Sequence, residues 1–222
     1  MKHLLLGAAL LLASCTAPAP AEQAADWLVA ELPQVDSILG APRTIDTPLG
    51  KAVRFDGTRD AFFLADNPLR GLEELTVEVI FRQDGTAPFE QRFLHMGTLR
   101  GERIMFETRV KPDGTWYLDN FIRRLDPQAD LTLIDSTLCH PADRWYNLAL
   151  VVADGRATNY VDGVQQLTGE MPYRPATEGI TSVGVRQNKV CWFKGDLYRI
   201  RITPRALTPD EFLRDQERLN RE

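Results

Sequence analysis

Histidine and cysteine are scarce, at three residues each among 222. They never gather at metal-ligand spacing, so the pattern offers no structural zinc site. The strand–turn–helix nucleophile signature Gly-x-Ser-x-Gly is missing, and a triad built on Ser136 or Ser182 would have no motif behind it. Long runs of one charge are also missing, and the net charge is −5. That balance argues against a nucleic-acid partner or an anionic surface. After the first fourteen residues no stretch is long and apolar enough to be transmembrane. What remains is ordinary: 44% hydrophobic and 26% charged residues, enough for one sizeable domain with a buried core. There is no internal repeat.

The N-terminus has its own logic. A short basic start, Met1-Lys2-His3, precedes the apolar run "LLLGAALLLAS", which reads as a secretory signal. It ends in Leu12-Ala13-Ser14-Cys15, which resembles a bacterial lipobox. That resemblance implies cleavage before Cys15 and acylation of its thiol and its new amine. The alternative is a plain signal peptide with an incidental cysteine. Residues 1–14 are then a lipoprotein signal, 15–25 a flexible tether of alternating proline and small residues, and 26–222 the folded domain. Several acyl chains would hold the protein to the membrane through the lipid alone. Thr16, where an inner-membrane retention signal would place Asp, favours the bacterial outer membrane, facing the periplasm or the surface.

With Cys15 acylated, Cys139 and Cys191 remain as an even pair in an oxidising compartment. The expectation is a disulfide, worth roughly 4 kcal/mol at most from loop closure. The alternative is two buried free thiols.

The body alternates with period two. "LTVEVIFR" (75–82), "RIMFETRV" (103–110) and "DLYRIRIT" (196–203) each carry one apolar face, as half-buried antiparallel strands do. "WYNLALVVA" (145–153) is more uniformly apolar and reads as a central strand. Asp-Gly pairs at 56–57, 84–85, 113–114, 154–155 and 162–163 supply tight turns. "ATNYV-DG-VQQL" and "VKPDGTWYL" read as hairpins. Regular short strands with such turns predict an all-β antiparallel sandwich, or jelly roll. A C-terminal helix is expected over "LTPDEFLRDQERLN", with Thr208 as N-cap, Pro209 at the first position and Glu211 closing a capping box. Phe212 and Leu219 would dock it. "AADWLVAEL" (24–32) is a weaker helix candidate.

The order of motifs resembles the laminin G-like, concanavalin A-like jelly-roll superfamily. The resemblance rests on Phe55-Asp56-Gly57, Leu75-Thr76-Val77-Glu78, the strand Trp145 to Val151, Tyr160-Val161-Asp162-Gly163, Phe193-Lys194-Gly195 and Ala206 to Phe212. It runs from about Gly50 to about Leu213. It implies a concanavalin A-like sandwich and leaves function open.

Glycoside hydrolases on this fold carry carboxylates at alternate positions of one strand, as Glu-x-Asp-x-x-Glu. No such run occurs here. Glu107 and Asp119 on neighbouring hairpin strands could face each other, but Arg109 beside Glu107 makes ion pairing the simpler account. Calcium is a candidate cofactor at Asp56 and Asp60, since some relatives bind it at the sandwich rim; turn capping by Asp56 is the alternative. A carbohydrate site needs aromatic faces beside planar hydrogen-bonding groups. The candidates are Arg109, Trp116, Tyr117, Asp119 and Asn120 on one segment, and Arg186, Asn188, Lys189 and Trp192 in "RQNKVCWFKG" on the other. Core packing of Trp116 and Trp192 is the alternative. Glu78, Arg82, Glu107, Arg109, Arg199 and Arg201 could form one solvated sheet face. The expected function is non-catalytic recognition of a glycan or an envelope protein. The alternative is a polysaccharide hydrolase or lyase acting around Glu107, Asp119 and His95.

Overall fold

The computed structural model describes residues 24–126 and 128–221. Cys15, the signal segment and most of the tether lie outside the described residues.

In chain order the strands are β1 (Ala25–Leu28), β2 (Ser37–Leu39), β3 (Arg43–Thr47), β4 (Gly50–Asp56), β5 (Ala61–Leu64) and β6 (Leu75–Gln83). Then come β7 (Glu90–Gly97), β8 (Arg103–Val110), β9 (Thr115–Arg124), β10 (Ala129–Ile134) and the two-residue β11 (His140–Pro141). The last are β12 (Trp145–Ala153), β13 (Arg156–Val161), β14 (Val164–Glu170), β15 (Ile180–Val183) and β16 (Lys194–Thr203). The first sheet runs β14-β13-β12-β6-β16-β4-β3, with β1 also on β16; the second runs β10-β9-β8-β7-β15-β5-β2, with β11 on β9. All pairings within the sheets are antiparallel. This is the expected two-sheet sandwich.

The expected hairpins form. Asp154-Gly155 and Asp162-Gly163 take positive φ at both positions, 50° and 70°, then 50° and 79°. That left-handed pair matches the twist of the flanking strands, which is why Asp-Gly joins β12 to β13 and β13 to β14.

Aromatic rings fill the space between the sheets. Phe81 stacks on Phe93 at 5.2 Å and meets the edge of Trp116 at 5.0 Å. Phe193 joins them at 5.4 Å from Phe93. Trp116 is therefore core, fully buried, with its indole N–H donated to the Pro141 carbonyl at 3.2 Å. This corrects its reading as a sugar-facing ring. Register decides the matter: Trp116 pairs with Val110, whose side chain also points inward.

Two helix expectations change. Residues 25–28 form β1, which puts Ala25 and Trp27 in the core and pairs Asp26 with Arg199 at 2.7 Å; only one 3-10 turn, Val29–Glu31, follows. At the C-terminus the Thr208–Glu211 capping box is present, but it opens a 3-10 turn, Pro209–Glu211. The α-helix itself, α1, spans only Asp215–Leu219. Phe212 docks on Tyr160 at 5.2 Å, while Leu213 and Leu219 pack with Ile80, Trp145 and Tyr198.

The expected disulfide is absent: Cys139 and Cys191 are both free. Cys139 precedes β11, and its Sγ lies 3.0 Å from Lys111 Nζ. The Cys191 carbonyl accepts the Arg92 N–H on the far side of β7, and its Sγ lies 2.5 Å from Arg92 Nη1. Strands β9, β8 and β7 separate the two, a span of roughly 15–20 Å at the usual strand spacing. A disulfide needs Cα atoms within about 7 Å.

The alternating charges do not share one face. Glu78, Arg82, Arg199 and Arg201 lie on the outside of the first sheet, beneath or beside the C-terminal segment; Glu107 and Arg109 lie on the outside of the second.

Candidate functional site: the outer face of the second sheet

On β8, Ile104, Phe106 and Val110 point into the core, so Met105, Glu107 and Arg109 point out. On β9, Trp116, Leu118 and Ile122 point in, leaving Tyr117, Asp119, Phe121 and Arg123 outside. Strand β7 carries a bulge between Arg92 and Leu94 that sends both Phe93 and Leu94 inward. Glu90, Arg92 and His95 are left on the outer face.

Register then brings five charges together. Glu107 is directly opposite Asp119 and Arg92. Arg92 Nε lies 2.8 Å from Glu107, and Arg92 Nη2 lies 2.5 Å from Glu90. Arg109 pairs with Asp119 and reaches Glu107 at 3.5 Å and Glu90 at 3.3 Å. Glu107 and Asp119 are almost fully buried. Burial pushes both carboxyls up, and the arginines oppose that shift. For Glu90 the Arg92 and Arg109 charges outweigh burial, and its carboxyl lies below its ordinary value. Glu107 and Asp119 are thus bound by shared guanidinium groups, an arrangement that stabilises buried carboxylates rather than freeing one as an acid and the other as a nucleophile.

One pleat along, His95 is fully buried, and its Nε2 sits 3.2 Å from the Thr98 carbonyl. Burial, assisted by Arg103, Arg186 and Arg92, lowers its pKa to about 4, so it is neutral at pH 7. Phe121 is flanked by two guanidinium groups, Arg103 at 4.7 Å and Arg123 at 5.5 Å from the ring centre. Arg123 forms a two-point ion pair with Asp130.

The segment "RQNKVCWFKG" lies along this face. Gly184 N–H donates to the Phe93 carbonyl, Arg92 N–H to Cys191 and Phe193 N–H to Gly184. Gln187 Nε2 donates to the carbonyls of Gly97 and Ile180, at 2.9 and 3.0 Å. These bonds fix the loop at the edge of β7. Arg186 and Trp192 are half-buried, and Asn188 is exposed. The structure therefore unites Arg109 and Asp119 with Arg92 and Glu107, and sets Arg186 beside His95 and Arg103. It removes Trp116 to the core. Asn120 also points inward, opposite Phe106.

Asp56 and Asp60 lie elsewhere. Asp56 Oδ1 accepts the N–H groups of Thr58, Arg59 and Asp60, and its Oδ2 accepts the Thr58 hydroxyl. Asp60 accepts the N–H groups of Ala41 and Asp56. Calcium takes six to eight oxygens. These carboxylates are engaged by backbone donors, and among the described residues no cluster of three metal-ligating side chains exists. The pair does not fit a calcium site; it caps a turn.

Arg92, Arg103 and Phe121 are the members that sequence reasoning missed. Arg103 and Phe121 carried a signal, being in phase with Glu107 and Asp119 respectively. Arg92 carried none, because the bulge breaks the alternation of β7.

Two antiparallel sheets packed over an aromatic core make a concanavalin A-like sandwich. The chain belongs to the concanavalin A-like lectin/glucanase superfamily, matching its Laminin_G_3 family over residues 56–212. No curated protein matches it. Among solved structures it is similar to domain 4 of AbnA, an extracellular arabinanase from Geobacillus stearothermophilus, solved with arabinotriose: TM-score 0.59, 22% identity, covering 80% of this chain and 82% of that one. A heptameric SAP-like pentraxin from Limulus polyphemus gives TM-score 0.53 and 20% identity, over 71% and 77%. The receptor-binding domain of botulinum neurotoxin D gives TM-score 0.57 and 11% identity, over 80% and 45%. At these identities the likeness is one of fold.

Proposed function

We propose that this chain is a non-catalytic recognition domain that binds glycan on the outer face of β7–β9 and the 186–192 loop. The observation that carries this reading is the partly exposed ring of Phe121, set between the guanidinium groups of Arg103 and Arg123 on the same outer face as Arg109. A sugar ring stacks on an aromatic face while its hydroxyls bond to neighbouring planar groups. The arabinotriose held by the arabinanase domain supports an oligosaccharide as the ligand class. Capture of Glu107 and Asp119 in ion pairs supports binding over hydrolysis. The lipobox further supports export, acylation at Cys15 and residence at the outer membrane.

The test is retention of the full chain in native gels cast with neutral and acidic polysaccharides, arabinan among them. Retardation by a polymer that stays intact supports the reading. Shortening of the polymer would establish a hydrolase or lyase instead. Free migration through every gel would overturn glycan binding and leave an envelope protein as the partner to seek. Separately, labelling with an alkyne fatty acid should be lost in Cys15→Ser; label retained in that variant would overturn acylation at this residue.

A further inference from the structure

At one end of the same face lie two arginines, Arg103 and Arg186, that form no ion pair among the described residues. Arg103 is 6% exposed; its Nη1 donates to the Gly101 carbonyl at 2.8 Å, and its Nε has no hydrogen-bond partner among the described residues. Arg186, half-exposed on the loop that Gln187 pins to Gly97, has no carboxylate partner among the described residues, and its Nε is likewise unpartnered. Gly97 is paired with Arg103, so the loop and Arg103 are neighbours. His95, between them and Arg92, is 0% exposed, and its Nδ1 has no partner.

Each orphan has a sign. With Nε2 facing a carbonyl, the neutral His95 ring carries its proton there, and Nδ1 is an acceptor that needs a donor. Arg103 and Arg186 are donors that need an acceptor, and buried unpaired guanidinium groups are costly. Burial, with Arg123 and Arg186 nearby, lowers Arg103 to about 10, a measure of how poorly its charge is compensated. The nearest carboxylates are committed: Asp130 to Arg123, and Glu107 to Arg92 and Arg109. A ligand that brings a carboxylate answers the two arginines, whereas the His95 ring behind them is closed to solvent.

We infer that Arg103 and Arg186 receive the carboxylate of an acidic sugar, so that the glycan recognised is a uronate-containing polymer. This rests on the glycan reading above and narrows it.

The test compares the full chain on polygalacturonate, its fully methyl-esterified form, dextran sulfate and neutral arabinan, by affinity electrophoresis and calorimetry. Polygalacturonate should bind, and esterification, which removes the charge and keeps the hydroxyls, should weaken it about tenfold or more. Arg186→Gln should weaken polygalacturonate binding about tenfold, the loss of one charge-assisted contact. Arg103→Lys keeps the charge but not the planar fork, and should weaken binding comparably while the urea unfolding curve stays near wild type. Equal binding of polygalacturonate and its ester, or unchanged affinity in Arg186→Gln, would overturn the inference while the glycan reading stands. Dextran sulfate binding as tightly as polygalacturonate would show attraction to charge alone and overturn it too. Failure to bind any polymer, arabinan included, would sink both.

Discussion

Leu213 donates its backbone N–H to the Glu78 carboxylate at 2.7 Å, across 135 residues of sequence. Glu78 stands at the centre of the first sheet, fully buried, and also accepts from Asn147 Nδ2 at 3.2 Å and Arg201 Nε at 2.6 Å. The bond commits the amide that would otherwise continue the turn begun at Pro209. Hence the C-terminal segment is extended at Phe212 and becomes helical only from Asp215. Glu78→Ala strands the Arg201 charge and the Leu213 N–H together. It should destabilise the fold by about 3–5 kcal/mol, the usual loss when one partner of a buried ion pair is removed. Glu78→Gln retains two acceptor contacts and should lose less. Urea midpoints of the two variants check the order; equal losses would mean the charge carries everything and the Leu213 bond nothing.

Arg109 is the shared partner of Glu107 and Asp119, so Arg109→Met leaves two nearly buried carboxylates with only Arg92 for compensation. A loss of about 3 kcal/mol or more is expected. In a double-mutant cycle with Asp119→Asn the coupling should exceed about 1 kcal/mol, above the range of exposed pairs. A coupling near zero would show the cluster to be ornamental, and would reopen Glu107 and Asp119 as free carboxylates.

Trp116 and Trp192 separate core from site. Trp116→Ala removes a ring that contacts Phe81 at 5.0 Å and Tyr146 at 5.1 Å, and should cost about 3–5 kcal/mol. Trp192→Ala, at a half-buried loop position, should cost under about 1.5 kcal/mol while lowering glycan retention. Thermal unfolding and affinity gels on the same preparations measure both. A Trp192 variant with unaltered retention would remove that ring from the site.

Which parts of this could be read from the sequence follows from the physics of each element. Strands β8 and β12 were legible to the residue, because one alternates cleanly and the other is apolar throughout. Strand β7 was not, since its bulge turns Phe93 and Leu94 to the same side. The break at Phe212 was invisible because its cause, Glu78, is local only in three dimensions. Trp116 and Tyr117 are adjacent, so one of them had to face the core, and only the register with β8 tells which. The charge cluster was half legible: Glu107 and Asp119 were placed opposite each other correctly, whereas Arg92 and the orphan atoms of Arg103 and His95 depend on the bulge and on packing between strands.

The free thiols give a direct chemical check. Alkylation of the unreduced, unfolded chain followed by mass spectrometry should label both Cys139 and Cys191, and reduction should leave the unfolding midpoint unchanged. In the native state Cys191 should react more slowly, because burial raises its pKa even with Arg92 beside it. A pair that labels only after reduction would restore the disulfide.

His95 sets the last expectation. Its folded pKa, about 4, lies below the ordinary value of 6.5, so the unfolded chain binds the proton more readily. Its contribution to stability is therefore complete above pH 6.5 and is lost as pH falls toward 4. The full shift corresponds to up to about 3 kcal/mol. Carboxylates held below their ordinary values act in the same direction further down, among them Asp56, held near 2 by donors from Thr58, Arg59 and Asp60 against the opposing effect of burial, and Glu211, held near 2 by Arg205 and Thr208. Glu78, Glu107 and Asp119 act oppositely, since burial raises them and protonation between their folded and unfolded values favours the fold. His95→Gln keeps a donor for the Thr98 carbonyl and cannot charge. Its urea midpoint should fall less than that of the parent chain between pH 7 and pH 5, a window in which Asp56 and Glu211 stay ionised in the folded chain. Parallel pH profiles for the two proteins would remove His95 from the acid sensitivity and leave it to other groups, among them His140, whose pKa burial also lowers.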